Sequence, residues 1–449
     1  MFRIWILRKF SMQGAELGNI HVQILAELKK QPKFVPEPTK KTVSELILTY
    51  PNVKDRIFLS SLYEISEYPV FSPVLKTLEP KIIEQLPKYL VSELVKLCQA
   101  YSKTSLLSDD LFSLLSQQIL KQVNNLTMFD AGILLFSIHS SKVFNPLLIE
   151  NISNRCLSLL NECDKDSLFK IMKSFSLYPD CEFNKKALPK LESLQDELTV
   201  LEKINFLELL WKCKASGGTV EKWIFQNIQS FDVEDFAVLV NKCSRCQEAG
   251  YKYRERLMKK LQKHIPKQFS SKAIMYTVNG FHELVMGKEV CEYFEEYLEQ
   301  NISKIELGHI CIIMYVFGTK EKGSRFMWRR LLEIIKKDLE KLTHTEKVWA
   351  VYGLFKVGRL KSELRDTIFN SLKDKDFGMK DLEKVIEICN ETEDKETLKR
   401  IKPFFIRKHK DFYPNKGLIC IDAYENAKLM DSELYAILKH FKSRIKQKN

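Results

Sequence analysis

A helical hairpin that occurs twice between residues 90 and 161 constrains the fold of this chain more than any other feature. In each copy a Leu-rich helix ends at a lysine, Lys103 or Lys142, and a second apolar helix follows after a short polar break. The two lysines are 39 residues apart, which is about the length of one hairpin in proteins built from stacked helical repeats. A single hairpin of this size cannot bury its apolar faces, so neighbouring hairpins are expected to stack into a continuous core.

Apolar periodicity continues this pattern to the end of the chain. First helices are predicted to start near residues 90, 127, 163, 199, 232, 270, 306, 343, 376 and 413. Four starts have the spacing of a capping box, in which a side-chain oxygen is followed three residues later by an acid: Thr127-x-x-Asp130, Thr199-x-x-Glu202, Asp232-x-x-Asp235 and Thr343-x-x-Glu346. We therefore predict an all-α fold, a right-handed solenoid of about ten helix-turn-helix repeats of roughly 36 residues. It covers residues 90–449 and has basic C-terminal units.

The first 89 residues do not follow the repeat. Residues 1–10, MFRIWILRKF, are amphipathic, contain arginine and have no acid, which is typical of a mitochondrial targeting segment. An ordinary helix that packs on the array is the alternative, and the apolar stretch is too short for a secretory signal. Residues 11–42 are predicted to be an N-terminal helix and a Pro/Lys linker, and residues 43–89 an irregular helical cap. The expected location is the mitochondrial matrix.

The composition excludes several classes of protein. With 15 Gly and 14 Pro in 449 residues, a β-rich fold with many tight turns is disfavoured. No uncharged apolar run approaches the 18 or so residues that a membrane-spanning helix needs, so no transmembrane segment is predicted. Eleven cysteines are scattered without framework spacing, which is typical of a reducing compartment.

The sequence contains no recognisable catalytic or metal-binding pattern. Cys243 and Cys246 form a C-x-x-C pair, but no second pair completes a zinc site and no βαβ context favours a redox role. Two thiols in a helical core are the favoured interpretation. We expect no catalytic residue, no metal, no cofactor and no small-molecule substrate.

The best-preserved unit is similar to one group of organellar proteins. Ser92–Ile119, SELVKLCQAYSKTSLLSDDLFSLLSQQI, resembles the helical repeats of the FAST-kinase-domain family and of heptatricopeptide and octotricopeptide repeat proteins. The resemblance implies binding of mitochondrial mRNA or rRNA in RNA processing, stability or mitoribosome biogenesis, with protein subunits of a ribonucleoprotein as further partners. Many such proteins end in a RAP domain, a small nuclease-like module, and residues 395–449 are predicted to be helical without it, so no nuclease activity is inferred.

The net charge of +13 is concentrated at the two ends of the chain. Residues 1–60 contribute +5 and residues 395–449 contribute +8, which leaves the middle formally neutral. This neutral middle favours an alternative function, a structural or scaffold subunit of a large mitochondrial assembly, such as the ribosome or a respiratory complex, that binds mainly protein.

Basic clusters on the second helices are the candidate RNA contacts. If stacking brings these helices into register, their cations could form a ladder along a phosphate backbone, although most such runs are merely solvated helix faces. The predicted nucleic-acid-binding residues are Lys252, Arg254, Arg256, Arg325, Arg329, Arg330, Lys399, Arg400, Arg407, Lys408 and Lys410.

Overall fold

The fold is helical throughout the part of the chain that can be described. A computed structural model describes residues 37–48, 56–68, 71–104, 106–371 and 378–446. All regular secondary structure in these ranges is helical and none of it is a strand, so the all-α prediction is confirmed. The chain divides into two compact units, unit 1 (Met1–Glu221) and unit 2 (Lys222–Asn449). The predicted targeting segment, residues 1–10, lies outside the described residues, as does the predicted linker up to residue 36.

Unit 1 is a series of helical hairpins. Its helices are α1 (Glu37–Leu48), α2 (Arg56–Ile65), α3 (Ser72–Gln85), α4 (Val91–Lys103), α5 (Asp109–Lys121), α6 (Met128–Ser141), α7 (Pro146–Leu159), α8 (Lys165–Phe175), α9 (Glu182–Ser193), α10 (Val200–Lys212) and α11 (Gly218–Asn227), the last of which contains the unit boundary. Helix α1 begins inside the predicted linker, at Glu37.

Corresponding helices of successive hairpins pack on each other in unit 1. The first helices contact in the order α2, α4, α6, α8 and α10, and the second helices α5, α7 and α9 do the same. Ser102 of α4 donates to the Ser137 carbonyl of α6 at 3.0 Å, and Ser174 of α8 donates to the Gly132 carbonyl of α6 at 3.0 Å. Small hydroxyl side chains thus let neighbouring first helices approach closely while their own polar atoms stay satisfied.

Unit 2 continues with helices of the same kind. They are α12 (Val233–Arg245), α13 (Gln247–Gly250), α14 (Arg254–Leu261), α15 (Ser271–Glu283), α16 (Gly287–Asn301), α17 (Leu307–Thr319), α18 (Arg325–Asp338), α19 (His344–Lys356), α20 (Ser362–Ser371), α21 (Met379–Glu391), α22 (Lys395–Lys408), α23 (Pro414–Asn426) and α24 (Ser432–Lys446). First helices again contact in series, from α12 through α15, α17, α19 and α21 to α23, and the second helix α22 contacts α24.

Two glycines bring the first helices α17 and α19 into backbone contact. A Cβ atom on Gly353 would lie 2.3 Å from the Met314 carbonyl oxygen, and one on Gly318 would lie 2.4 Å from the Gly353 carbonyl oxygen. Any side chain at either position would push the two backbones apart. Helix α17 is apolar on nearly all sides because it is covered by neighbours rather than facing water on one side.

The predicted helix starts agree with the structure. Each of the ten predicted first-helix starts is followed within three residues by a helix. All four predicted N-caps accept a backbone N–H bond from the residue three positions later, at distances between 2.8 and 3.4 Å: Thr127, Thr199, Asp232 and Thr343. Local capping chemistry therefore determines where these helices begin.

The turn after seven of the first helices contains a left-handed residue. The φ angles lie between 52° and 64° at Lys142, Lys214, Val285, Glu321, Gly358, Glu393 and Lys428. A left-handed residue reverses the chain at the end of a helix. Val285 is unusual among them because a β-branched side chain disfavours this conformation.

A recurrent hydrogen bond joins each of several second helices to the second helix before it. A side chain donates to a backbone carbonyl at or just beyond the C-terminal end of the preceding second helix, and we call this contact a carbonyl clamp. The clamps, with donor first, are Gln122–Tyr89, Arg155–Leu126, Lys190–Leu160, Lys260–Gln229, Tyr293–His264, Arg330–Glu299, Arg400–Phe369 and Arg444–Phe412, at 2.5 to 3.3 Å. Because helix C-terminal carbonyls lack intrahelical partners and carry partial negative charge, a cationic donor suits this position.

Candidate nucleic-acid interface

The eleven predicted RNA-binding residues form three groups, all in unit 2. The first group lies at the start of α14, the second on α18, and the third on α22 and the turn after it. They belong to second helices, as the sequence predicts. Their surroundings divide them into residues with structural contacts and residues that face solvent.

The first group contains an arginine stacked on an exposed ring. The guanidinium carbon of Arg254 lies 3.7 Å from the centre of the Tyr251 ring, and that tyrosine is 44% exposed. Lys252 and Arg256 on either side are also exposed. Arg254 and Tyr251 together present a flat cationic and aromatic surface to solvent. Nucleobases stack on surfaces of this kind.

The second group separates into free and bound arginines. Arg325 and Arg329 are exposed and have no ion-pair partner among the described residues. Arg330 instead forms a carbonyl clamp to Glu299 at 3.1 Å. Its guanidinium also lies 5.7 Å from the ring centre of Phe326, a ring that is 53% exposed.

The first turns of α22 are largely engaged within the fold. Lys399 is exposed and pairs with Glu396 on the same helix at 3.0 Å. Arg400 forms a carbonyl clamp to Phe369 at 3.0 Å and also donates to the Asn370 side chain at 3.3 Å. Arg400 thus fastens α22 to the end of α20, and its donors are directed into the protein.

The last turn of α22 faces solvent. Arg407 is exposed, and its guanidinium lies 5.0 Å from the centre of the Phe404 ring. Lys410, just beyond the helix, is exposed and has no ion-pair partner within the described chain, whereas Lys408 is half-buried and has contacts of its own. Among the third group, Arg407 and Lys410 are therefore the residues best placed to meet a phosphate.

An acidic helix interrupts the predicted ladder of cations. Helix α16 carries five glutamates and contacts both α18 and residues 266–268, which follow α14. One of these glutamates, Glu292, pairs with Lys322 at 2.8 Å, but the helix as a whole remains negative. A phosphate backbone running from α14 to α18 would have to cross this repulsive surface, so the first two groups do not form one continuous stripe.

A dense group of cations lies at the C-terminal end of unit 2. Residues 399–410 contain six Lys or Arg and no acid, and α24 packs directly on α22. From residue 399 onward, the exposed cations of α22, of the turn after it and of α24 are, among the described side chains, Lys399, Arg407, Lys410, Lys439 and Lys442. We call them the C-terminal basic surface. The sequence predicts the first three as RNA contacts, and Lys439 and Lys442 belong to a further C-terminal basic cluster that was not among the predicted contacts.

The pKa of a neighbouring histidine is consistent with the positive potential of this surface. Burial lowers the pKa of His440 below its usual range, and the nearby His409, Arg444 and Lys410 lower it further. Cationic neighbours disfavour a second positive charge, so the imidazole loses its proton more readily.

A polar network that the sequence did not reveal joins three first helices of unit 2. Tyr352 of α19 donates to Glu387 of α21 at 2.7 Å, and Lys356 pairs with the same carboxylate. The ammonium group of Lys384 lies 4.9 Å from the Tyr315 ring centre and 5.9 Å from that of Tyr352. Burial lowers the pKa of Lys384. Because these groups satisfy one another, the network holds α17, α19 and α21 together rather than presenting free groups to a ligand.

His282 borders this network and is held neutral. Its ring lies 5.3 Å from that of Tyr315 in an edge-to-face arrangement, and its Nδ1 is buried without a hydrogen-bond partner among the described residues. Burial, followed by the charges of Lys320, Lys384 and Lys380, lowers the pKa of His282 to about 4. The imidazole is therefore uncharged at neutral pH.

The cysteines are packed rather than poised for reaction. Cys243 of the C-x-x-C pair is buried and Cys246 half-buried. Burial raises the pKa of Cys98 and of Cys156 to about 12, and a thiol with so high a pKa is a poor nucleophile at neutral pH. Within the described ranges no cluster of three His, Cys, Asp or Glu side chains could hold a metal ion.

The described helices are also too short or too polar for a bilayer: none of them could cross a membrane.

Comparison with known proteins leaves the family resemblance as a prediction. No model of a protein family matches the chain, and no curated protein matches it.

Proposed function

We propose that this chain is a non-catalytic RNA-binding protein of the mitochondrial matrix that acts in RNA processing, stability or mitoribosome biogenesis. Its ligand would be a mitochondrial mRNA or rRNA. The observation that carries the proposal is the C-terminal basic surface, where exposed cations of α22 and α24 adjoin and the segment 399–410 contains no acid. A polyanion is the ligand that such a surface favours.

The proposed architecture is a right-handed solenoid of about ten helix-turn-helix repeats of roughly 36 residues. Three regularities support it: helix starts in phase with the sequence period, left-handed turn residues after seven first helices, and carbonyl clamps between successive second helices. An array of this kind presents one face of many helices side by side, which suits an extended ligand.

Electrostatic contact with weak base selectivity is the proposed binding mode. Arg407 and Lys410 would contact phosphates, and the Arg407–Phe404 pair, with a ring-to-guanidinium distance of 5.0 Å, would offer a surface for stacking. The Tyr251–Arg254 pair would provide a second stacking surface separate from the first. Stacking tolerates every base, since each has an aromatic face.

The mitochondrial location rests on the acid-poor N-terminal sequence, residues 1–10. The role in RNA metabolism rests on the resemblance of Ser92–Ile119 to organellar repeat proteins.

A scaffold subunit that binds mainly protein is the second candidate. The observation that favours it is the number of large apolar side chains exposed in unit 1, among them Phe129 at 70%, Phe136 at 58%, Phe144 at 68% and Leu147 at 57%. Exposed apolar side chains close together are typical of surfaces that contact another protein.

Salt-dependent RNA binding tests the first candidate. The full chain is titrated into a fluorescent single-stranded oligonucleotide at several salt concentrations, beside a variant with Arg407→Glu, Lys410→Glu and Lys442→Glu. Three lost phosphate contacts should reduce the slope of log K against log salt by about 2. The matched control reverses the charge of three exposed lysines on and just after α3, Lys76, Lys81 and Lys88.

The two variants must differ for the proposal to stand. If the triple variant and the control bind with the wild-type affinity and slope, the C-terminal basic surface is not the RNA site. Ultraviolet crosslinking in intact mitochondria, with purification under denaturing conditions, then tests the biological claim. The crosslinked RNA is sequenced, and we expect it to map to one ribosomal or messenger segment. Absence of crosslinked RNA would favour the scaffold function.

A further inference from the structure

An apolar groove of about 450 Å³ crosses the first helices of unit 1. Its walls include Phe129, Ile133 and Phe136 on α6 and Ile171 and Leu177 at α8 and the turn after it. Phe129 and Phe136 are 70% and 58% exposed, so neither ring contributes much to the core of the unit. These rings are available to cover an incoming apolar side chain.

Gly132 of α6 and Ser174 of α8 both line the groove, where the two helices are in contact. Gly132 has no side chain there, and Ser174 donates to its carbonyl oxygen at 3.0 Å. The glycine leaves space between the two phenylalanines that a larger residue would occupy. The absence of a side chain at residue 132 and the small side chain of Ser174 thus leave room for an insert.

Three of the six polar side chains that line the groove have partners within the fold. Ser167 donates to Asp164 at 2.7 Å, Ser174 donates to a carbonyl, and Lys212 pairs with Glu208 at 2.9 Å. Of the other three, Gln99, Lys170 and Lys173, only Gln99 offers both a donor and an acceptor. Reading the edge of a nucleobase needs several directed hydrogen bonds of both kinds. An apolar insert fits the floor better than a base.

Two lysines on the rim form no ion pair with any described residue. Lys170 and Lys173 of α8 are exposed, line the groove, and have no acidic partner among the described residues. An acid on an occupant would meet them without displacing an existing ion pair. Complementary charge at a rim orients a partner and raises its rate of association.

The spacing of the two phenylalanines matches a helix. They are seven residues apart on α6, which is about 10.5 Å along the helix axis. A helix that docks in a groove inserts side chains at i, i+4 and i+7, which span the same length.

We infer that this groove binds an acidic amphipathic helix of a partner protein. The apolar face of that helix inserts between Phe129 and Phe136, and its acidic side faces Lys170 and Lys173. The groove lies in unit 1 and shares no residue with the C-terminal basic surface in unit 2. Experiments can therefore refute the helix-binding proposal or the RNA-binding proposal separately.

Selection from a peptide library identifies what the groove accepts. The library displays helical peptides with apolar residues fixed at i, i+4 and i+7 and with acidic, basic or polar residues at the other positions. The full chain is compared with a Phe129→Ser/Phe136→Ser variant, in which both changes are at exposed positions. We expect the peptides enriched on the wild-type protein to be acidic. Enrichment of neutral or basic peptides, or no enrichment relative to the variant, would overturn the inference.

Charge exchange tests the pairing directly. The best acidic peptide should lose at least about tenfold in affinity for a Lys170→Glu/Lys173→Glu variant, and its twin with Lys in place of Glu should gain affinity for that variant. The Lys76→Glu/Lys81→Glu control carries the same charge change elsewhere in unit 1 and should leave both peptides unaffected. If oligouridylate displaces the peptide, or itself binds less tightly to the Phe129→Ser/Phe136→Ser variant, the groove is an RNA site instead.

Discussion

Two arginines on the same helix should respond in opposite ways to the same substitution. Arg400 and Arg407 lie seven residues apart on α22. Arg400 donates to the Phe369 carbonyl at 3.0 Å and to Asn370 at 3.3 Å, whereas the guanidinium of Arg407 lies over the Phe404 ring and is otherwise exposed. Glutamine in place of either arginine removes one positive charge and keeps a polar side chain, so each variant is the control for the other.

The expected cost in stability follows from these contacts. A hydrogen bond from a charged donor contributes about 1.5 to 3 kcal/mol, and because Arg400 is half-buried we expect Arg400→Gln to cost about 2 kcal/mol, near the lower end. In a unit of 228 residues that corresponds to a decrease of about 4 to 8 °C in melting temperature. Arg407→Gln removes only a solvent-exposed cation–π contact of about 0.5 kcal/mol.

RNA binding should show the reverse order. Arg407→Gln should reduce affinity for a single-stranded oligonucleotide and lower the salt slope by about 0.7, the value for one phosphate contact. Arg400→Gln, measured well below its melting temperature, should bind almost as tightly as the wild type. Differential scanning calorimetry and fluorescence anisotropy on the same samples give both quantities.

One result would refute this separation of roles. If Arg407→Gln lowers the melting temperature as much as Arg400→Gln does, the distinction between clamp and exposed arginine is wrong. If Arg400→Gln weakens RNA binding more than Arg407→Gln while the protein stays folded, the clamp arginine belongs to the binding site.

Three substitutions test other features of the fold. The pKa of His282 is about 4 in the folded protein and about 6.5 in an unfolded chain. Between these pH values the unfolded state binds a proton that the folded state does not. The free energy of unfolding should therefore fall by about 3 kcal/mol as the pH decreases from 6.5 to 4. His282→Gln should remove that part of the acid sensitivity in urea titrations, and an unchanged pH profile would contradict the assignment. Val285→Gly relieves a β-branched residue at a φ of 64° and should raise stability by about 1 kcal/mol, whereas a lower melting temperature would show that the turn is not strained. Gly353→Ala places a methyl group 2.3 Å from the Met314 carbonyl oxygen and should lower the free energy of unfolding by about 1 to 3 kcal/mol. Urea unfolding measures this change, and an unchanged stability would mean that α17 and α19 separate easily.

The sequence by itself determined the helices and where the first helices begin. The apolar period and the four predicted caps depend on residues within one or two turns of each other, such as Thr343 and Glu346. Such short-range interactions form in much the same way whatever surrounds them. The all-α class and the ten first-helix starts could therefore be predicted without knowledge of how the helices pack.

Only the tertiary structure decided what each cation does. Arg400 and Arg407 are the same residue type on the same helix, and the sequence assigned both to RNA. What separates them is the Phe369 carbonyl, 31 residues away, which lies within reach of Arg400. The groove of unit 1 likewise depends on the approach of α6 and α8 at Gly132 and Ser174, which are 42 residues apart. Contacts between residues so far apart in sequence depend on how whole helices pack. They cannot be predicted from a local sequence pattern.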